Sequence, residues 1–515
     1  MSEAAPSPFA NDRALKRLRR RRAADRRFRW YGRAAIGFAL AALAVLMASI
    51  FAQALSAATY HVVRFRIDPA GIDSAAGTPQ ILQDVHEQIR ASLDREFPEA
   101  ADDPVLHRQL SGLVTRLAAL SAAERIGQGG PGTTAPFDVQ LPLSDDVDLY
   151  LKGVAARQVT VSLPAMQASA NTETGQVTLA GPAALARIRA AAAPTNLHVG
   201  EASFLATAGR TTIRLETLSE LSATGIVLSG AVGDFNGKPV RMRIVSLPEA
   251  DRSVSDRQIA WALALQAEGR LRRVPHWALL ARTDSTQPEL AGTLAAIVGS
   301  LLTLLVTAAL AIPVGILASI YLEEFAPKNR LTSLIEVNIN NLAAVPSIVF
   351  GLLGAAVFLG VFGLPRSAPI VGGLVLALLI LPVVIIAARA AMKAVPDSIR
   401  AGALAIGASR MQTVFHHVLP LAAPGMITGA ILGMARALGE TAPLLLIGMV
   451  AFVADVPRGP EDEASVLPVL IYSWATQAER AWEPMTGAAI LILLVFLIAM
   501  NSVVVYLRAR MDRKS

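Results

Sequence analysis

The chain has 515 residues, of which 53% are hydrophobic and 17% are charged, whereas a soluble protein of this length usually carries about 25% charged residues. It contains no cysteine, which excludes disulfide bonds, thiolate metal sites and a cysteine nucleophile. Much of the net charge of +7 comes from a basic run at residues 16–29, directly before an apolar stretch. That placement is typical of the cytoplasmic flank of a membrane anchor rather than of a nucleic-acid-binding arm.

Six apolar windows are long enough to cross a bilayer, for which a helix needs roughly 20 mostly apolar residues. They cover about residues 31–55, 290–322, 338–362, 370–392, 425–454 and 486–507. The first window could be a cleaved signal peptide, but its long basic flank and long apolar run favour an uncleaved anchor. We therefore predict an α-helical polytopic membrane protein with six transmembrane helices.

The distribution of lysine and arginine predicts the orientation, because cytoplasmic loops are enriched in both residues. The N-terminus, the connections that hold Lys328 and Arg400, and the C-terminus are basic, whereas the connection at 455–483 is rich in acidic residues. Arg389, near the inner end of the fourth window, is expected to reach the lipid headgroups. The protein is predicted to lie in the bacterial inner membrane with both termini in the cytoplasm. The expected parts are a cytoplasmic tail (1–30), a first transmembrane helix (31–56), a periplasmic domain (57–287), a membrane core with five helices (288–508) and a cytoplasmic tail (509–515).

Residues 57–287 are polar enough to form a soluble domain between the first two spans. Apolar spacings of three and four predict helices at 80–97 and 103–126, and a glycine-rich flexible connection follows at 127–136. Short strands are predicted at 138–141, 158–163, 176–179, 211–218 and 240–245. The pattern indicates a mixed α+β domain without metal-ligand spacing or a nucleophile motif. It is either a packing or docking module or a sensor of a small ligand.

The cytoplasmic loop at 395–420 contains clear helix signals. Asp397 is a good N-cap for one helix, and Gly407 can take the left-handed conformation that ends it. Ser409 begins a second helix with a capping-box glutamine three residues later, and this helix should stop before Pro420. The loop is therefore predicted to form a helix, a glycine turn and a second helix. It either enters a groove on another protein or is a solvated linker.

The spacing of this loop resembles the signature of ABC-importer permeases, EAA-x3-G-x9-I-x-LP. Gly407 occupies the glycine position, while His417 replaces the isoleucine and the usual glutamate is replaced by alanine. The resemblance implies that residues 393–422 form the cytoplasmic coupling loop that docks on an ATPase subunit. The implied coupling residues are Ala401, Gly402, Ala403, Gly407, Leu419 and Pro420.

An arginine and a glutamate lie four residues apart inside the fifth apolar window, in RALGETAPLLLIG. A charge at bilayer depth costs about 2.5–3.5 kcal/mol on insertion scales, so the pair needs an explanation. Arg436 and Glu440 are expected to share one helix face and to pair there. They either line a translocation path, where an arginine fork suits an oxyanion, or fix helix packing. Asn338 and Asn341 in the third window pose the same choice between a path and hydrogen bonds to neighbouring helices.

The stretch RALGETAPLL, together with EVNINNLAAVPSIVFGLLG at 336–354, resembles the PstA-type permease of the phosphate importer. The resemblance implies a permease subunit that forms half of a path for inorganic phosphate. The predicted path residues are Arg436, Glu440, Asn338 and Asn341. The implied partners are a PstB-like ATP-binding subunit, a PstC-like sister permease and a PstS-like periplasmic phosphate-binding protein.

The sequence contains no GxxxxGK[ST] loop for ATP phosphates, so we expect neither an enzyme nor a cofactor in this chain, and ATP is used by the partner subunit. Two other functions are compatible with the sequence. The permease could carry another oxyanion, such as sulfate or molybdate, or the chain could be a membrane sensor with residues 57–287 as its receptor domain. A sensor would need a folded signalling domain inside, and the segments assigned to the cytoplasm are short.

Overall fold

The computed structural model describes residues 12–73, 76–128, 135–171, 176–193, 197–449 and 452–512. Most of the predicted connection at 127–136 lies outside these ranges, as do residues 1–11 and 513–515 of the predicted tails. The first helix, α1 (Asp12–Ala57), begins just before the basic run and continues through the first apolar window. The segment contains no proline to interrupt it, so one helix joins the predicted tail to the first predicted span.

A β-rich domain follows α1. Its strands are β1 (Thr59–Ile67), β2 (Phe137–Pro142), β3 (Gln158–Leu163), β4 (Gln167–Ala170), β5 (Gln176–Ala180), β6 (Ser203–Ala208), β7 (Thr211–Leu218), β8 (Ser222–Ser229), β9 (Val240–Val245) and β10 (Leu271–Pro275). Its helices are α2 (Thr78–Glu96), α3 (Pro104–Ser111), α4 (Leu120–Gly127), α5 (Asp145–Lys152), α6 (Pro182–Ala192), α7 (Asp256–Ala267) and α8 (Ala278–Ala281). The strands predicted at 158–163, 211–218 and 240–245 are confirmed. The single helix predicted at 103–126 is wrong, because the chain leaves α3 at Gly112, a poor helix former, and resumes an α-helix only at α4.

The strands form two antiparallel sheets. β10, β1 and β2 make a three-stranded sheet in that order, and the order in the seven-stranded sheet is β3-β9-β6-β7-β8-β5-β4. The first and last strands of the domain are hydrogen-bonded neighbours, with Thr59 opposite Pro275. The chain therefore enters and leaves the domain at adjacent points.

Two hydrophobic cores stabilise the domain. Side chains alternate between the faces of the seven-stranded sheet, so Leu205 joins the core that includes the three-stranded sheet, whereas Phe204 joins the core beneath α6. In the first core, Trp261 of α7 packs against Phe97 with ring centroids 6.0 Å apart. Helices α7 and α6 therefore cover opposite faces of the large sheet.

The remaining helices form the membrane core. They are α9 (Leu294–Ile320), α10 (Arg330–Ala343), α11 (Ser347–Gly354), α12 (Pro369–Lys393), α13 (Asp397–Ala405), α14 (Arg410–Thr413), α15 (Leu419–Gly439), α16 (Ala442–Leu446), α17 (Leu467–Ala475) and α18 (Trp482–Asp512). π-helical turns follow α9, α11 and α14, at Tyr321–Phe325, Ala355–Val361 and Val414–Val418. Among the described residues, five helices are long and apolar enough to cross a membrane, or six if the bent pair α10 and α11 counts as one span.

Two of the predicted spans differ from the structure. In the third, α10 and α11 meet at an angle of 100°, because a residue before proline disfavours helical angles and Pro346 follows the end of α10. In the fifth, predicted at 425–454, the helical run extends from Arg410 to Gly439 and ends there. The rest of that apolar window contains the short α16, and residues 450 and 451 lie outside the described ranges.

Hydrogen bonds dock the β-rich domain on the membrane helices. Lys152 Nζ of α5 donates to the carbonyl of Ser56 in α1 at 2.8 Å. Arg480 Nη1, just before α18, donates to the carbonyl of Ala155 at 3.1 Å. Helices α1 and α18 also pack closely, since a Cβ on Gly487 would lie 3.1 Å from the Cβ of Gln53. We call this contact region between the domain and the helix ends the junction.

Glu289, in the linker between α8 and α9, lies in the junction and is only 7% exposed. Burial, and then the nearby carboxylates of Asp145 and Glu479, raise the pKa of Glu289 from 4.5 to about 7. The folded protein keeps this proton up to about pH 7, whereas the unfolded chain releases it near pH 4.5. The folded state therefore loses stability as the pH rises through that window.

Replacing Glu289 with glutamine is expected to remove this part of the pH dependence and to stabilise the protein at alkaline pH by up to about 3 kcal/mol. The measurement is thermal unfolding of the detergent-solubilised chain at about pH 5 and about pH 8. Glu461→Gln makes the same change at an exposed position and should keep the wild-type pH dependence. If Glu289→Gln lost as much stability as the wild type between the two pH values, the pH dependence would not come from Glu289.

Candidate functional site

The charged segment of the fifth window lies where α15 ends. α15 stops at Gly439, and Glu440 has extended backbone angles of φ −83° and ψ 106°. Pro443 explains the stop, because in a continuing helix its ring would clash with the carbonyl of Gly439, four residues earlier. The expectation that Arg436 and Glu440 share a face of one continuous helix is therefore wrong, since only the arginine is helical.

The two side chains nevertheless form an ion pair. Arg436 Nε lies 3.4 Å from Glu440 Oε1, and the two side chains are 45% and 21% exposed. An exposed ion pair of this kind contributes about 0.2–1 kcal/mol. The contact therefore stabilises the helix end only weakly, and it leaves the guanidinium accessible to another anion.

The turn after this pair is held against the bent helices. A Cβ on Gly351 of α11 would lie 2.7 Å from Pro443 Cα, so the two backbones approach this closely only because residue 351 is glycine. Leu444 of α16 is buried, and Ser367 Oγ donates to the carbonyl of Gly448 at 2.6 Å. The turn that carries the charged pair is thereby fixed relative to α11.

The two predicted path asparagines lie on another element. Asn338 and Asn341 are exposed on α10, a helix that packs on α12 and has no buried residues. Asn338 Nδ2 donates to the carbonyl of Leu334 within the same helix at 2.8 Å. Within the described part of the chain, this side chain is therefore not seen bridging to a neighbouring helix.

The loop at 395–420 has the predicted helix, glycine turn and helix. Gly407 separates α13 from α14 with a φ of +95°, in the left-handed region. Ser409 Oγ accepts from the backbone N–H of Gln412, and the Gln412 side chain accepts from the backbone N–H of Ser409, which completes the capping box. Asp397 is the first residue of α13 rather than its N-cap, which is Pro396.

The second helix of the loop does not stop before Pro420, contrary to the prediction. α14 continues through the π turn at Val414–Val418 directly into α15. In that turn the N–H of Leu419 bonds to the carbonyl of Val414, five residues earlier. This wider turn accommodates a proline that the interior of an ordinary α-helix would exclude. The loop is therefore continuous with the helix that carries Arg436.

The predicted coupling residues differ in exposure. Ala401, Gly402, Gly407 and Pro420 are exposed, Leu419 is half-buried and Ala403 is buried. The sequence reasoning missed the large apolar side chains beside the turn, Ile406 and Met411, which are 82% and 57% exposed. Apolar residues flanking a glycine turn were the available signal. Together they give the loop an apolar tip, which is typical of a protein contact.

The sequence reasoning also missed an ion-pair network at one end of the spans. Arg389, which was expected to reach the headgroups, forms two ion pairs within the protein. Its Nε lies 3.2 Å from a Glu323 oxygen and its Nη2 lies 2.7 Å from a Glu336 oxygen. Arg400 of α13 contacts Glu324 at 2.8 Å. The available signal was the pair of glutamates at the end of the second apolar window, since charges beside a membrane usually need counter-charges.

Comparison with known proteins identifies relatives of both parts of the chain. Residues 311–513 match the family described as binding-protein-dependent transport system inner membrane component, and residues 15–160 match a domain of unknown function (DUF3333). The phosphate transport system permease protein PstA 1 of Mycobacterium tuberculosis (strain CDC 1551 / Oshkosh) is 32% identical over 240 residues, which cover 46% of this chain and 77% of that protein. PstA of Mycobacterium leprae (strain TN) is 35% identical over 214 residues, or 41% of this chain and 68% of that protein. An inward-facing structure of the MetNI methionine ABC transporter matches 42% of this chain and 94% of that chain, with a TM-score of 0.35 and 15% identity.

Proposed function

Because the chain belongs to the PstA family of permeases in binding-protein-dependent transport systems, we propose that it is the transmembrane subunit of an ATP-driven importer of inorganic phosphate. It forms half of the translocation path and is coupled to a separate ATPase subunit. The relatives supply the substrate class. Within this chain, the accessible Arg436 at the break after α15 is the observation that supports it.

The energy of the charged pair favours a role in transport. Placing a charge in the membrane costs about 2.5–3.5 kcal/mol, whereas an exposed ion pair contributes about 0.2–1 kcal/mol. Helix packing alone therefore does not account for Arg436. Phosphate is an anion at neutral pH, and a planar guanidinium can bind two of its oxygens at once. Glu440 holds the arginine at rest, and an incoming phosphate displaces this carboxylate.

Asn338 and Asn341 complete the polar lining of the path. Both side chains are exposed on α10, where their amide groups can donate to phosphate oxygens. The surface they occupy faces the second half of the path, which a PstC-like sister permease supplies. A PstS-like periplasmic protein delivers phosphate to the outer side.

A PstB-like subunit hydrolyses ATP and binds the cytoplasmic loop at 393–422. The exposed coupling residues and the apolar tip at Ile406 and Met411 enter a groove on that subunit, and the tip takes the place of the absent glutamate as the anchor. The chain itself uses no cofactor. The continuity of α14 with α15 carries the displacement of the loop towards Arg436.

In this proposal the chain crosses the bacterial inner membrane six times, with α10 and α11 together as the third span. Both termini are cytoplasmic, and the β-rich domain is periplasmic. The basic N-terminal run and the acid-rich connection at 455–483 support this orientation.

The experiment is uptake of labelled phosphate by a strain that lacks its phosphate permease and is complemented with this chain and its transport partners. We expect uptake that a large excess of unlabelled phosphate abolishes and that equal excesses of sulfate or molybdate leave nearly unchanged. Sulfate and molybdate are also tetrahedral oxyanions, but at neutral pH phosphate keeps a proton that both of them lack. A polar acceptor beside the arginine that bonds this O–H would therefore discriminate against the two competitors. Competition by sulfate or molybdate as strong as that by phosphate would assign the chain to another oxyanion.

A further inference from the structure

The π turn at Tyr321–Phe325, which we call the glutamate turn, directs two neighbouring carboxylates to different partners. The side chains of Glu323 and Glu324 are only 18% and 10% exposed. Their ion pairs are partly shielded from water, which strengthens them relative to surface pairs. Single π turns of this kind occur frequently at functional sites.

Glu324 binds the coupling loop. Arg400 Nε and Nη2 donate to Glu324 Oε1 at 3.2 and 2.8 Å. The same guanidinium donates to the carbonyl of Val395 at 2.7 Å and to that of Met392 at 2.9 Å. Because the arginine fork carries five donors in a fixed plane, Arg400 fastens α13 to the ends of α9 and α12 at once.

Glu323 binds the bent helix pair through an intermediate arginine. Arg389 contacts Glu323 at 3.2 Å and Glu336 of α10 at 2.7 Å. From α10 the chain passes the 100° bend into α11, where Gly351 contacts Pro443 beside the charged pair. A series of contacts therefore joins the coupling loop to the charged segment by a route separate from α15.

We propose that the glutamate turn is the joint that transmits movement of the coupling loop to the translocation path, with Glu324 as the positioning residue on the loop side and Glu323 as the positioning residue on the path side. The inference rests on the proposed function of the chain as an importer subunit. When the ATPase displaces α13, Arg400 pulls on α9 through Glu324. Glu323 then passes the displacement to α10 and α11 through Arg389.

The test is the number of phosphate ions imported per ATP hydrolysed by the complete complex in liposomes, with its sister permease, ATPase and binding protein. Glu324→Gln and Glu323→Gln are each expected to lower this ratio at least about fivefold, while complex yield and ATP hydrolysis stay within about twofold. If the two glutamates only stabilised the structure, their loss would lower the yield of the complex or its ATP hydrolysis together with phosphate import. Glu220→Gln, which removes an exposed ion pair with Arg189 in the β-rich domain, is the matched control and should keep the wild-type ratio.

Exchanging the charges of the loop-side pair gives a second readout. Glu324→Arg combined with Arg400→Glu is expected to recover part of the ratio that either single change loses, because the pair is restored with opposite polarity. Wild-type ratios in both glutamine variants, loss of the complex itself, or a double variant no better than the single ones would each overturn the joint.

The two proposals fail differently. A wild-type complex that hydrolyses ATP but imports no phosphate would refute phosphate as the substrate. The joint could then still be tested by the number of molecules of the true substrate imported per ATP hydrolysed. A wild-type complex that imports phosphate, with glutamine variants that remain coupled, refutes the joint and leaves the proposed function standing.

Discussion

Replacing Arg436 with glutamine is expected to leave insertion into the membrane unchanged and to reduce phosphate uptake at least about tenfold. Glutamine keeps much of the polar character but loses the charge and the planar fork. Hydrogen bonds to charged groups contribute about 1.5–3 kcal/mol, which corresponds to a factor of about 10–150 in binding. The loss of the weak contact with Glu440, by comparison, should scarcely affect folding. The measurement is the initial rate of uptake, normalised to the amount of permease in the membrane.

Two further variants separate charge from geometry at this position. Arg436→Lys keeps the charge without the bidentate fork and should give an intermediate rate. Arg458→Gln makes the same substitution at an exposed arginine in the connection after α16, and it should keep wild-type uptake. If Arg436→Gln took up phosphate at the wild-type rate and at normal abundance, the pair would have only a structural role at the end of α15.

Replacing Gly407 with valine is expected to lower co-purification of the ATPase at least about fivefold, while the spans remain inserted. The position requires a φ of +95°, which a β-branched residue adopts only with strain of about 1–3 kcal/mol. A Cβ at this position would meet nothing within 4 Å, so the effect comes from the backbone and not from a clash. The strain changes the angle between α13 and α14, and thereby misplaces the apolar tip. Co-purification is measured by affinity capture of the permease and quantification of the bound ATPase.

A matched control addresses the strain itself. Gly237→Val places the same residue at another open position with a positive φ, +78°, in the β-rich domain. It should cost comparable stability and leave ATPase binding intact. Ile406→Asp tests the tip without strain and should also weaken binding, because it places a charge at an 82% exposed apolar contact. Normal ATPase binding by both Gly407→Val and Ile406→Asp would remove the docking role from this loop.

Local signals predicted the glycine turn and the second helix start in the loop at 395–420. The capping box at Ser409 and the left-handed Gly407 depend on neighbours within three or four residues, so the sequence contains all the information they need. The π turn before Pro420 was not predictable in the same way. Whether a proline ends a helix or is absorbed by a wider turn depends on the packing of Val414 and Val418 in the core with α12 and α9.

Hydropathy located the membrane segments but not their breaks. The apolar window at 425–454 continues through Leu444 without a change in composition, so nothing in its hydropathy distinguishes a straight span from a helix that stops at Gly439. Pro443 is the local feature of the sequence that indicates the break. Pro346 marks the position of the bend, but its angle of 100° also brings α11 against α16, where Gly351 contacts Pro443, a residue distant in the chain.

The ion-pair network shows a different reason for incomplete prediction. Arg389 and Glu323 are 66 residues apart in the chain, and Arg400 and Glu324 are 76 apart. Each residue alone fits an interfacial position where its charge meets water or headgroups. Only the packing of α9, α10 and α12 brings the opposite charges together. The sequence therefore predicted the exposed residues of the candidate site, but not the ion pairs that connect its elements.

The antiparallel pairing of Thr59 with Pro275 places the points where the chain enters and leaves the β-rich domain side by side. The two points are separated by roughly the 5 Å spacing of neighbouring strands. A module with such closely set ends can be spliced into, or out of, a host polypeptide without stretching the host backbone. The β-rich domain is in this sense an exchangeable cassette.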